Sequence, residues 1–151
     1  MNSLGIPPII QGGMGAAVSN WELARAVAAQ GQLGVVSGTA LETVVARRLQ
    51  NGDPGGHMRE AIAHFPYPAA AQEVIDKYFL PEGRGGKPYR PTRKTTIKPH
   101  REHDSLTAVA NFAEVWLAKQ AGTGKVGINF LEKDRKSTRL NSSHITISYA
   151  V

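Results

Sequence analysis

The residues of this chain that could bind a ligand stand where short apolar runs end. The glycine-rich turn 11–15 follows Ile9-Ile10, Ser37-Gly38 follows a second apolar run, and Asn129 follows a third. Glycines permit positive φ angles and leave backbone N–H groups open, while amide side chains give directional hydrogen bonds. The pattern predicts one ligand along the rim of a parallel sheet. The candidate residues are Gln11, Gly12, Gly13, Met14, Gly15, Ser37, Gly38 and Asn129.

Familiar nucleotide-binding and metal-binding motifs are incomplete in this sequence. Gly13-Met14-Gly15 lacks the third glycine of a dinucleotide-binding turn, because Val18 occupies that position. Gly124-Lys125 is followed by Val126, where a phosphate-binding loop needs serine or threonine. The histidine spacing matches no metal-ligand pattern, so we expect surface or helix-capping roles. These histidines are His57, His64, His100 and His103.

Composition indicates a globular protein with room for one domain. The chain has 151 residues, of which 41% are hydrophobic, and a net charge of +6. It has no cysteine, which excludes disulfides, zinc–thiolate sites and thiol nucleophiles. No apolar run approaches the roughly 20 residues of a membrane helix, and no signal segment opens the chain. We therefore expect a cytoplasmic protein without membrane contact.

Much of the positive charge lies in the segment 82–102. Seven arginines and lysines there face only Glu82 and Glu102. Such a segment could be a nucleic-acid-binding arm or a phosphate site. Because aromatic residues are not interleaved with the basic ones, a solvated loop is the favoured interpretation.

The order of elements predicts an α/β fold with a parallel sheet. Ser19 to Glu22 has the spacing of a capping box, which predicts a helix that ends at Gly31. A strand before it and strands at 33–37 and 126–130 give the order β-α-β, a long excursion, then α-β. The other predicted helices are 41–50, 57–64, 69–79 and one capped by Asp104 or Ser105.

Residues 1–133 resemble the N-terminal part of the nitronate monooxygenase (2-nitropropane dioxygenase) family. The resemblance rests on Pro8 to Gly15, on residues 23–38 and on Val126 to Phe130. It implies the N-terminal part of an FMN-binding (β/α)8 TIM barrel, with a helical and loop insertion at about 51–104 between strands 2 and 3. It also implies that residues 11–15 and Ser37-Gly38 line FMN and that Asn129 hydrogen-bonds it. The family's catalytic histidine and main phosphate loops would fall after residue 133, so we assign no catalytic residue.

The function that the resemblance implies is FMN-dependent oxidation of alkyl nitronates with molecular oxygen. A second enzyme hypothesis is an FMN- and NAD(P)H-dependent enoyl reductase of a lipid or polyketide synthase, which shares the N-terminal pattern. The basic segment would then suit an acyl carrier protein. A hypothesis of another class is a non-catalytic module that binds nucleic acid through residues 82–102.

The C-terminal segment 134–151 has a different character. Its first eleven residues, DRKSTRLNSSH, match the in-frame translation of a common sequencing adapter. We interpret 134–151 as a non-native tail, expect it to pack against nothing specific, and expect the natural protein to continue differently beyond Lys133.

Overall fold

The computed structural model describes residue 7 and the ranges 9–93, 100–120, 122, 124–132 and 144–150. Lys94 and Lys98 of the basic segment, Pro8, and residues 134–143 lie outside the described residues. The fold is mixed α/β and divides into two compact units. The first unit comprises residues 1–39 and 118–151, and the second comprises residues 40–117, which include the whole predicted insertion.

The first unit is built on a four-stranded sheet whose strands are neighbours in chain order. The strands are β1 (Ile10–Gln11), β2 (Leu33–Ser37), β3 (Lys125–Glu132) and β4 (His144–Ala150). The first three run parallel, and helix α1 (Trp21–Ala29) connects β1 to β2. All five residues of β2 are buried, as expected for a central strand of a parallel sheet.

Two glycines let α1 lie close against this sheet. A Cβ added to Gly34 of β2 would lie 2.8 Å from the Cα of Ala24, and one added to Gly124 would lie 2.7 Å from the Cα of Ala28. Ala24 and Ala28 are one helical turn apart and both are buried. Small residues on both surfaces thus set the distance between helix and sheet.

Strand β4 corrects the expectation that residues 134–151 pack against nothing. Residues 144–150 pair antiparallel with β3, from His144 opposite Glu132 to Ala150 opposite Val126. An unpaired strand edge exposes a row of N–H and C=O groups that pairs with any extended segment within reach. The tail supplies such a segment, whatever its origin.

The second unit is helical. Its elements are α2 (Leu41–Gln50), α3 (His57–Ala63), α4 (Pro68–Tyr78) and residues 101–117 of α5 (Arg101–Lys119). Its buried apolar residues include Leu49, Met58 and Ile62. Among the described residues, no helix is long and apolar enough to cross a membrane.

Two predicted helix starts were wrong, and both errors concern caps. The Asn20 side chain, not that of Ser19, accepts the Leu23 N–H at 3.1 Å and begins α1. Helix α5 begins at Arg101 because the Asp104 carboxylate accepts the His100 N–H at 3.2 Å. Asp104 therefore bonds the backbone N–H that precedes the helix from a position four residues along the chain, inside the helix rather than before it.

Candidate functional site

Strands β1 and β2 end at one edge of the sheet, and the parallel pairing of β3 with β2 ends there too, at Asn129, while β3 itself continues to Glu132. Ser37 and Asn129 are opposite each other in the parallel register. The Gly38 N–H donates to the Asn129 carbonyl at 2.9 Å. A Cβ added to Gly13 would lie 2.5 Å from the Asn129 Cγ. The structure therefore brings together the predicted residues Gly13, Ser37, Gly38 and Asn129, and only glycine fits beside the Asn129 amide.

The Asn129 side chain ends in an acceptor that the protein does not use. Its Oδ1 is buried and has no hydrogen-bond partner among the described residues. A buried acceptor without a donor typically costs about 1–3 kcal/mol. A ligand donor reaching this atom would recover that free energy, so Asn129 is the residue here that most directly indicates a ligand.

Gln11 lies at the same edge, but its amide is used inside the protein. Oε1 accepts the Val35 N–H at 3.2 Å, while Nε2 donates to the Val35 carbonyl at 3.3 Å and to the Ser19 Oγ at 3.0 Å. Nε2 also contacts the Gly12 carbonyl. These bonds continue the β1–β2 pairing past the end of β1. In this arrangement Gln11 positions the turn, and its amide is not free to hydrogen-bond a ligand.

Ser19 is the site residue that the sequence interpretation missed. It is 1% exposed, and its Oγ accepts the Met14 N–H at 2.9 Å and donates to the Gly12 carbonyl at 3.3 Å. The Ser19 carbonyl accepts the Ser37 N–H at 2.9 Å. The signal was present in the sequence, because Ser19-Asn20 offers two capping residues where the helix needs one.

The remaining candidates differ in how accessible they are. Ser37 is 2% exposed, and its Oγ accepts the Thr39 N–H at 3.4 Å, so this hydroxyl has a structural role. Gly12 is exposed, with no atom within 4 Å of an added Cβ. Met14 is 50% exposed and Phe130 36%. The edge therefore offers open backbone, apolar surface and one unpaired acceptor.

The predicted surface or helix-capping role of the histidines agrees with the structure at His64. His64 lies at the C-terminal end of α3, its Nδ1 lies 2.9 Å from the Glu60 carbonyl, and its ring stacks on Trp116 at 4.5 Å. At His100 the backbone N–H, not the ring, bonds Asp104, and the ring Nδ1 is buried with no partner among the described residues. Among the described residues, no three histidine, aspartate or glutamate side chains are grouped as metal ligands.

The described part of the basic segment is a structured loop. Arg84 Nη1 donates to the Lys87 carbonyl at 2.6 Å, and Arg90 Nη1 donates to the Lys77 carbonyl at 2.6 Å. The buried Gln50 amide accepts the Arg90 N–H at 2.6 Å and donates to the Arg90 carbonyl at 3.3 Å. These bonds tie the loop to α2 and α4, which favours the loop interpretation over a free nucleic-acid-binding arm.

The second unit also contains, at its surface, an acid–base pair whose pKa values are shifted. The Lys77 ammonium hydrogen-bonds the Glu102 carboxylate, which raises the pKa of Lys77 and lowers the pKa of Glu102. Their side chains are 42% and 44% exposed, so solvent screens the pair. Burial raises the pKa of the neighbouring Tyr78 hydroxyl. We relate these pKa shifts to the stability of the fold, since none of the three residues lies at the strand-end site.

Comparisons of the chain with protein families, with curated proteins and with solved structures give no match.

Proposed function

We propose that the strand-end edge is the ring-binding part of an FMN site in an oxidoreductase that oxidises alkyl nitronates with oxygen. The observation that carries the proposal is the Asn129 Oδ1, unpaired among the described residues, which lies beside Gly13 where the parallel pairing of the sheet ends. Ligands of open α/β sheets and TIM barrels bind at this end of the strands. The resemblance to the nitronate monooxygenase family selects FMN among such ligands.

The residues present fit one part of a flavin. The flavin ring system has an N–H group that could donate a hydrogen bond to the Asn129 Oδ1. It also has apolar surface that Met14 and Phe130 could contact. The open backbone at Gly12 could supply an N–H group for one of its carbonyl oxygens. FMN supplies the redox chemistry when bound, and the protein orients it.

The protein's own contribution at this edge is positioning. Ser19 and Gln11 hold the turn 12–14 through their side-chain hydrogen bonds, which keeps Gly13 against Asn129. The buried Oδ1 of Asn129, which has no partner among the described residues, is held at the same place. A preorganised acceptor of this kind loses little entropy when a ligand binds.

We propose that the three parallel strands are the first part of a (β/α)8 barrel. The three parallel strands in chain order fit its first part. In such a barrel the next strand beside β3 is also parallel, whereas β4 is antiparallel. We infer that β4 occupies an edge that the next barrel strand would otherwise take.

Flavin binding by a protein in which residues 1–133 continue into the family's later strands tests the site. We expect FMN fluorescence to change on binding, and Asn129→Ala to weaken the affinity by about 5- to 150-fold, the equivalent of about 1–3 kcal/mol. Asn111→Ala, the same substitution on α5, is the matched control and should leave affinity unchanged. Equal affinity of the parent and Asn129→Ala would refute the assignment.

The two enzyme hypotheses differ in what is consumed. A nitronate monooxygenase consumes oxygen when an alkyl nitronate is added, whereas an enoyl reductase oxidises NAD(P)H when an enoyl thioester is added. These assays belong on a protein in which residues 1–133 continue into the family's later strands. Oxidation of NAD(P)H with no nitronate-dependent oxygen uptake would favour the reductase.

A further inference from the structure

The side chain of Tyr89 organises two arginines on the surface of the second unit. The Arg84 guanidinium lies 4.4 Å from the centre of the Tyr89 ring, and the Arg47 guanidinium lies 5.1 Å from it. The Tyr89 hydroxyl donates to the Asn51 Oδ1 at 3.2 Å, and Arg84 Nε donates to the same oxygen at 3.3 Å. Arg84 Nη1 donates to the Lys87 carbonyl at 2.6 Å. The Arg84 fork is thereby fixed at two of its nitrogens, with its third nitrogen left over.

The positive charge of these arginines is not neutralised within the described chain. The ion pairs between described residues involve neither Arg47 nor Arg84. Two guanidinium groups at one ring repel each other, and the ring offsets this only in part. The Arg84 guanidinium, and the Arg47 guanidinium after it, hold the pKa of Tyr89 below its usual value, as positive surroundings do for a phenol.

Hydrogen bonds at both ends hold the loop that carries Arg84 and Tyr89 in place. Gln50, 1% exposed, bonds both backbone groups of Arg90. The Leu80 N–H donates to the Leu49 carbonyl at 3.3 Å at the other end of the loop. The two guanidinium groups are therefore presented by a tethered loop and a helix, which reduces the entropy that a bound anion must remove.

We propose that Arg47, Arg84 and Tyr89 form a binding site for the phosphate group of a small phosphate monoester. A phosphate monoester carries close to two negative charges and three acceptor oxygens, which match the Arg47 fork together with the remaining Arg84 nitrogen better than a carboxylate would. Nucleic acid is disfavoured, because Tyr89 is the only aromatic residue in 82–93 and its ring already contacts two guanidinium groups.

The experiment titrates the full chain with inorganic phosphate at constant ionic strength and follows the pKa of Tyr89 by the NMR shift of its ring, since the chain has four tyrosines whose phenolate absorbances overlap. Bound phosphate should raise the pKa of Tyr89 towards its usual value, and calorimetry should show saturable binding. Arg47→Gln should weaken phosphate binding about 10- to 100-fold and abolish the Tyr89 response, since Arg47 anchors no other part of the loop. Arg25→Gln, on the exposed side of α1, is the matched control.

Three results would overturn the proposal. One is phosphate binding that Arg47→Gln leaves unchanged, and a second is a Tyr89 pKa that phosphate does not move. The third is an oligonucleotide that binds the chain when phosphate does not. Circular dichroism of Arg47→Gln distinguishes loss of the site from loss of the fold, and Arg47→Lys, which retains charge without the fork, should bind with intermediate affinity.

Discussion

Replacing Ser19 with alanine tests whether this hydroxyl holds the strand-end turn. The substitution removes an acceptor from the Met14 N–H at 2.9 Å and from Gln11 Nε2 at 3.0 Å, and a donor to the Gly12 carbonyl at 3.3 Å. The site is 1% exposed, so water does not readily replace the hydroxyl. Because buried groups left without partners typically cost about 1–3 kcal/mol, we expect the free energy of unfolding to fall by that amount.

Urea unfolding and amide hydrogen exchange together measure this effect. The urea midpoint should fall with an unchanged slope, and the Met14 amide should exchange about 5- to 150-fold faster, the same 1–3 kcal/mol expressed as a ratio. Val18→Ala is the matched control, because Val18 is 59% exposed and its change should stay within about 0.5 kcal/mol. A Ser19→Ala protein with the stability and Met14 exchange of the parent would refute the reasoning.

Three further predictions concern the second unit and the tail. Gln50→Leu should free the loop at Arg90 and speed tryptic cleavage in that loop after Arg84, with a loss of about 1–3 kcal/mol on urea unfolding; unchanged cleavage would contradict it. Because its bond to Lys77 lowers the pKa of Glu102, the pair stabilises the fold above the ordinary glutamate pKa of about 4.3, and this contribution disappears as pH falls through the lowered value. Glu102→Gln should remove that pH dependence, which at this exposed position is about 0.2–1 kcal/mol in acid-titrated unfolding experiments. Deleting 134–151 should leave the β3 edge unpaired and increase self-association in light scattering, and a deletion variant as monomeric as the parent would show that the edge needs no partner.

Local signals were enough to predict the central elements of both units. The observed bounds of β2 (Leu33–Ser37) and α2 (Leu41–Gln50) are those that the sequence predicts. In each case an apolar pattern is bounded by glycine or polar residues only a few positions away. The long strand β3 (Lys125–Glu132) was predicted too short, because its last residues are paired by a segment that lies 12 or more residues further along the chain.

The sequence predicts which residues form the candidate site better than it predicts what each of them does there. The strand-end pattern indicates correctly that Gly13, Gly38 and Asn129 meet, because parallel strands end at the same edge. It does not show that the Gln11 amide is consumed by Val35 and Ser19. That choice depends on which hydrogen-bond partners lie within 3–3.3 Å in three dimensions, and no spacing in the sequence encodes it.

The most direct test of the account is an amide and side-chain NMR titration with FMN of a protein in which residues 1–133 continue into the family's later strands. We predict saturable shifts of the Asn129 side-chain amide and of the Gly12 and Gly13 backbone amides, with the helices of the second unit unaffected. The Asn129→Ala protein should lose the shifts at the two glycines. Shifts confined to residues 40–117, or glycine shifts that persist in Asn129→Ala, would contradict a flavin site at the strand ends.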